Sequence, residues 1–310
     1  MFNINKWGAN KLKRINLDQL NQVIVQPLRE ALIRNEHIAV FDNYEEWGNV
    51  KAAAIQLKDP DLEDERTLDA LDDNLYTILD QGQTPCNSNF LALAYGYTYL
   101  FQRINAIENA FKALNYGTDK TRETGLFVDI GCGIGALLVA LRNLHENEDF
   151  ILNYRGYDIV EEVLSINQNL LNEVYPNNNV TINGNQIESF GNQDRGDIKH
   201  VIMVFSYLFS QNGIEGSFNE FEAKIDELFN EFNLSRFYLV QINIRPGYYT
   251  EYQNFLNQLV DSKKYTIEVM TNTCVNVNNN RLIRLSREID SMSSVGDSNV
   301  HCCVREIKRV

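Results

Sequence analysis

Apolar spacing divides the chain into two rhythms. Through about residue 120, apolar positions recur every three or four residues, the helical period. Leu17, Leu20, Ile24, Leu28 and Leu32 share one face, with Asn16 placed to cap that helix and Pro27 placed to kink or divide it. A second helix is predicted over Leu62–Asp80, stopping at Gly82. A third is predicted over Asn87–Gly117, with Ser88 or Asn87 as cap and Gly117 as terminator. Phe90, Tyr95, Tyr97, Tyr99 and Phe101 make it aromatic, a stripe that reads first as core and second as a pocket wall.

From about Thr121, short apolar runs alternate with helical ones. GLFVDI (125–130), FILNYRGYDI (150–159), NVTINGN (179–185), HVIMVF (200–205) and RFYLVQINI (236–244) read as strands. Helices are predicted over Ala136–Asn143, Glu161–Val174, Phe218–Phe232 and Tyr249–Asp261. Strand alternating with helix predicts a parallel sheet with right-handed crossovers. YTIEVM (265–270) and SNVHCCVREI (298–307) have no clear helix between them, so an antiparallel pair at one sheet edge is expected, with the polar segment 286–299 as a loop. The expected fold is α/β: a doubly wound, mostly parallel sheet of about seven strands over residues 121–310. A helical N-terminal region, 1–120, stands in front of it, placed to roof a pocket.

Charge and cysteine usage narrow the setting. Forty-two acidic residues against 28 basic ones give a net charge of −14, which disfavours non-specific nucleic-acid binding. A specific RNA or ribonucleoprotein stays open, because Lys6, Lys11, Lys13 and Arg14 could form one patch with Arg305, Lys308 and Arg309. Much of the acid lies in Phe41–Gly82, which reads first as a solvated face and second as a docking surface for a basic protein. No apolar run approaches a membrane span, and MFNINKWGANKLKR lacks the apolar stretch of a secretory signal. Five cysteines without a CxxC spacing suggest reduced thiols and a cytoplasmic setting. His37, His145, His200 and His301 lack ligand spacing, so no metal site is expected.

The candidate chemistry sits in FVDIGCGIG, Phe127–Gly135. A strand runs into a turn with Gly131, Gly133 and Gly135, and a helix follows. Such a junction is a ligand site, because the strand's carboxyl end and the helix's N-terminus meet there. Glycine permits positive φ and removes the β-carbon that would strike a ligand lying on the main chain. A diphosphate needs amide donors free of negative charge, whereas Asp129, two residues before the first glycine, suits a cationic group.

DIGCGIG resembles the first motif of class I S-adenosylmethionine-dependent methyltransferases, and the likeness spans roughly Thr121–Val310. It implies S-adenosyl-L-methionine as cofactor. Asp129, Gly131, Cys132, Gly133 and Gly135 would hold the methionine part. Asp158, with Ile159 beside it, would take the ribose hydroxyls after the second strand. Asn185 and Gln186 would follow the third strand, with Asn185 where the family usually has an aspartate reading the adenine amine. Phe205 would close the set at the fourth strand, and Arg103 would reach the cofactor's carboxylate from the helical region. Ser206 and Tyr207, after the fourth strand, would orient the methyl acceptor. The acid-or-asparagine, Pro-Pro, aromatic motif of base-directed amino methyltransferases is absent.

A further likeness is to the methyltransferase-like proteins of the small ribosomal subunit, carried by Tyr95, Arg103, Ser206, Tyr207, Pro246 and Gly247. Gln241 replaces that group's acid, and its cluster-ligating cysteines have no counterpart. Two functions therefore stand: methyl transfer to RNA, protein or a small molecule, or a non-catalytic cofactor-binding domain that docks partners.

Overall fold

The computed structural model describes residues 17–42, 75, 78–79, 86–113, 125–144, 152–190, 198–211, 213–243, 249–282 and 292–310. Asn16, Gly117 and most of the predicted helix 62–80 lie outside these residues, as do the acidic segments and the basic N-terminal residues. Helix α1 (Leu17–Leu20) passes through a π turn, Asn21–Val25, into α2 (Gln26–Ile33). Pro27 sits in the first turn of α2, where a missing N–H costs least. The path stays helical, and the looser π turn takes up the interruption predicted at the proline.

After α3 (Glu36–Asp42) comes α4 (Asn89–Ala113). Ser88 is its cap, its Oγ accepting from the Leu91 N–H at 3.2 Å. This helix is apolar around most of its circumference, as buried helices are. It packs against α5 (Ala136–Leu144), α6 (Glu161–Val174) and strand β7 (Tyr265–Leu282).

The strands are β1 (Gly125–Ile130), β2 (Asn153–Tyr157), β3 (Asn179–Asn183), β4 (Gln186–Phe190), β5 (His200–Ser206), β6 (Arg236–Asn243), β7 and β8 (Met292–Arg309). They form one eight-stranded sheet in the order β3-β4-β2-β1-β5-β6-β8-β7. β2, β1, β5 and β6 are parallel neighbours. The final strand β8 lies antiparallel between β6 and β7. With α7 (Phe218–Glu231) and α8 (Tyr249–Asp261) on the second face, the result is a doubly wound, Rossmann-like α/β fold.

Two expectations are corrected. The third strand is a hairpin, which brings the count to eight. Gly184, at φ +57°, and Asn185 make a two-residue turn, and β4 returns antiparallel beside β2. The polar run 286–299 is strand from Met292 onward, paired to β7 as far as Leu282↔Met292. Backbone pairing holds it there, a signal that apolar spacing does not carry.

Alternation along the strands feeds two cores. Phe127, Ile202, Val240 and Cys302 join Leu20, Ile24, Leu28 and α4 on one face. Val128, Met203, Phe205 and Cys303 join α7 and α8 on the other. The N-terminal helices thus share a core with the sheet. Among the described residues no helix is long and apolar enough to cross a membrane.

Buried Arg155 ties β2 to its neighbours. Its Nε donates to Glu188 Oε1 at 2.6 Å, and its two Nη atoms donate to Glu231 of α7 at 2.7 and 2.9 Å. Removing one member of such a cluster strands the others' charge. Arg155→Ala is expected to lower stability by about 3 kcal/mol, measured by denaturant unfolding, with the loss shrinking in acid as the carboxylates protonate.

Candidate functional site

The carboxyl ends of β1, β2 and β5 converge on one cleft. Its floor is the turn between β1 and α5, where Gly131, Gly133 and Gly135 have φ of +68°, +52° and +94°. An L side chain is strained in that region. Contacts separate the three roles. A β-carbon on Gly131 would stand 2.8 Å from Leu208 Cδ1, and one on Gly135 would meet Leu138 at 3.0 Å. One on Gly133 would meet nothing within 4 Å. Gly133 is the bare backbone that faces open space.

The turn's amides are committed. Those of Gly131 and Cys132 donate to the Tyr157 carbonyl at 2.8 and 2.9 Å, and that of Gly135 donates to the Cys132 carbonyl at 3.1 Å. The Gly133 amide donates to Asp158 Oδ2 at 2.9 Å. A diphosphate, which needs such donors, finds these four engaged. Asp158 Oδ1 accepts from the Val160 amide at 3.1 Å. Each carboxylate oxygen keeps lone-pair capacity for a hydroxyl donor. Burial raises the Asp158 carboxyl above its ordinary range, and the amides of Gly133 and Val160 pull it back.

The cleft is lined by Asp129, Gly131, Cys132, Gly133 and Ile134 from β1 and the turn, with Ala136 and Leu137 from α5. Ser206 enters from β5, and Tyr95, Leu100, Arg103 and Ile107 from α4. Asp129 is 2% exposed, and its Oδ1 has no hydrogen-bond partner. Burial pushes its carboxyl up to about 8, against a modest pull from the Tyr154 hydroxyl. Arg103 stacks between two tyrosines, its Cζ 4.9 Å from the Tyr95 ring centre and 4.6 Å from that of Tyr207. Each such stack contributes about 0.5–1 kcal/mol at a partly exposed site. Tyr207 is held at φ +62°, strained for a non-glycine residue, by its amide bond to the Ile242 carbonyl at 2.8 Å. The Ser206 Oγ and Tyr207 Oη are buried without partners.

The structure thus brings together Asp129, Gly131, Cys132, Gly133, Asp158, Arg103, Ser206 and Tyr207. Gly135 shapes the turn from behind, packed toward α5 and α6. Ile159 stands at the rim beside Asp158, 91% exposed. Asn185 lies at the tip of the β3–β4 hairpin, where its carbonyl accepts from the Asp158 amide at 3.0 Å. Two residues fall away from the cleft. Phe205 points to the opposite face, among Phe209, Phe221, Tyr252 and Phe255, because successive strand residues alternate sides. Gln186 turns along β4 to donate to Glu188 Oε1 at 2.8 Å. Leu100, Ile107, Ile134 and Leu137 were not foreseen. The spacing Leu100, Arg103, Ile107 on one helical face was the available signal.

Among the described residues no group of three or more His, Cys, Asp or Glu could hold a metal ion. An unpaired oxygen on a buried carboxyl group, in a cleft that an arginine also lines, suits a zwitterionic amino-acid group. The Asp158 carboxylate beside bare backbone suits vicinal hydroxyls. The donor set therefore fits an adenosyl amino acid.

No protein-family model matches the chain, and no curated protein matches it. Solved structures overlap it across most of their own length. The 16S rRNA methylase ArmA is 15% identical, covering 76% of this chain and 97% of its own, at a TM-score of 0.34. A SAM-dependent methyltransferase from Aquifex aeolicus is 10% identical, covering 74% and 97%, also at 0.34. The plantazolicin methyltransferase BpumL, solved with SAH, is 10% identical, covering 91% and 98%, at 0.33. Overlaps this loose decide nothing about function, and the cleft must carry that reading.

The raised Asp129 carboxyl has a consequence for stability. Folded, it keeps its proton up to about pH 8; its ordinary value is 3.8. Between those values the folded chain binds a proton that the unfolded chain releases, so stability falls as pH rises through that window. Asp129→Asn is expected to remove this slope and to be more stable than wild type by roughly 1–3 kcal/mol at pH 8.5, read from thermal unfolding between pH 5 and 9.

Proposed function

We propose that the chain is an S-adenosylmethionine-dependent methyltransferase whose acceptor remains to be identified. The observation that carries this is the Gly133 amide bonded to Asp158 Oδ2 at 2.9 Å, in a cleft where Asp129 keeps an unpaired oxygen. The bond sets the second strand's acid beside the bare main chain of the first, as a nucleoside's ribose requires. Asp158 would accept from the ribose hydroxyls, Asp129 would take the ammonium, and Arg103 would take the carboxylate. Ile159 and Asn185 would flank the base at the rim.

The cofactor supplies an electrophilic methyl carbon on a sulfonium that is already a good leaving group. What remains for the protein is alignment and exclusion of water. Ser206 and Tyr207 would orient the acceptor, each with a hydroxyl free to bond. Leu100, Ile107, Ile134 and Leu137 give the cleft its apolar lining. The cavity volume is about 20 Å³, room for about one water molecule. Binding therefore requires the Tyr207–Leu208 turn to move outward, because α4 is anchored in the core it shares with the sheet. A second reading, a cofactor-binding domain without turnover, rests on Asn185 and Gln241 standing where the resembled families carry acids. Release of S-adenosylhomocysteine in the presence of fractionated RNA, protein or small-molecule extract separates the two.

Calorimetric titration with S-adenosylhomocysteine is expected to show binding, and no heat on folded protein defeats the reading. Asp158→Ala is expected to weaken binding roughly tenfold or more, because a charge-assisted hydrogen bond contributes about 1.5–3 kcal/mol.

A further inference from the structure

Beneath the glycine turn lies a hydroxyl that none of the roles above uses. Tyr154 is fully buried in β2 and directs its Oη toward Asp129 Oδ2, to which it donates at 3.4 Å. It starts opposite Phe127 in the β1–β2 register, while Asp129 lies opposite Gly156. The side chain therefore runs two positions along its own strand to reach the acid. Gly156 makes this reach feasible. A β-carbon there would stand 2.6 Å from Tyr154 Oη and 3.0 Å from Cys132 Sγ. Its φ is not in the left-handed region, so clearance, not backbone freedom, is what glycine supplies.

The arrangement also reaches the turn. Tyr154 faces Asn167 and Cys132, and Asn167 Nδ2 donates to the Gly133 carbonyl at 2.9 Å. One buried hydroxyl thus lies among the acid, the thiol and the amide that hold the cleft floor. Oδ2 of Asp129 is engaged by Tyr154, while Oδ1 of this cleft-lining residue is buried without a partner.

We propose that Tyr154 is a positioning residue: by holding Asp129 Oδ2 across the gap left by Gly156, it orients Oδ1 and favours the ionised form that an incoming cation needs. The inference rests on the cofactor reading above for the identity of that cation, the ammonium of an adenosyl amino acid. The charged and titratable groups facing Asp129 are Tyr154 from β2, Asp158 after it, Cys132 in the turn and Arg103 from α4. From β5 comes Ser206, which does not titrate in this range. Asp158 opposes ionisation of Asp129 and Arg103 favours it. Among the described residues, Tyr154 is the side chain that bonds it directly.

Two measurements test this, and the first needs no cofactor. Carbon-13 NMR of the side-chain carboxyls, with Asp129 assigned by its loss in Asp129→Asn, follows titration in wild type and Tyr154→Phe. The phenylalanine keeps the ring and its packing. The Asp129 midpoint is expected to rise by about half a pH unit or more, the worth of one modest hydrogen bond. Gly156→Ala, which must push the hydroxyl aside, is expected to shift it in the same direction. An unchanged midpoint in a folded Tyr154→Phe protein overturns the proposal.

The second is calorimetry with S-adenosylhomocysteine and with 5′-methylthioadenosine, which lacks the amino-acid group. Wild-type affinity for S-adenosylhomocysteine is expected to rise with pH toward about 8, as Asp129 ionises. Tyr154→Phe is expected to weaken it about threefold at pH 7 and to leave 5′-methylthioadenosine unaffected. Equal losses for both ligands mean a merely structural role and overturn the proposal. A wild type that binds neither ligand defeats the cofactor reading, while the carboxyl titration still decides what Tyr154 does to Asp129.

Discussion

The bond between the Gly133 amide and the Asp158 carboxylate joins the tips of two parallel strands. It requires a glycine at positive φ, an acid just past the end of β2, and a sheet that places the two side by side. Around it, the Tyr157 carbonyl gathers the amides of Gly131 and Cys132, and Asn167 holds the Gly133 carbonyl. The turn is therefore fixed by hydrogen bonds from β2 and α6 before any ligand arrives. Pre-ordering of this kind lowers the entropy that binding must overcome.

That rigid floor faces a roof of a different character. α4 meets the cleft through Tyr95, Leu100, Arg103 and Ile107, and its link to the β5 side is a stack of one guanidinium between two rings. Stacks of this size contribute little each. α4 itself is anchored in the core it shares with the sheet, so the Tyr207 side opens at less cost than α4 or the floor. The strained Tyr207 backbone lies on the side that would have to yield, which suits a position with two accessible arrangements.

Buried charge follows a similar division. Arg155 is surrounded by carboxylates and locks β2, β4 and α7 together. Asp129, also buried, has one long bond from Tyr154 and an unpartnered oxygen. A satisfied cluster stabilises the fold. An unsatisfied acid costs stability, and strongly perturbed acids of this kind cluster at functional sites.

Much of this was legible in the residues themselves. Glycine and aspartate at DIGCG fix a turn by local sterics, and helix spans such as Glu161–Val174 and Tyr249–Asp261 follow from local periodicity. Asp158 could be named only through the methyltransferase resemblance, which implies an acid after the second strand. What the chain order could not convey is which side chains meet across elements. Phe205 and Ser206 are adjacent, yet one enters an aromatic core and the other the cleft, a choice set by the register of β5 in the sheet. The β3–β4 hairpin and the length of β7 and β8 depend on backbone pairing between distant segments, which polar residues satisfy as well as apolar ones. Tyr154 reaches Asp129 only because Gly156 stands opposite that acid, a neighbourhood created by strand pairing. Local conformation is a property of a few consecutive residues, whereas burial and proximity belong to the packed sheet; the turn was therefore written in the sequence, and the site around it was settled by tertiary structure.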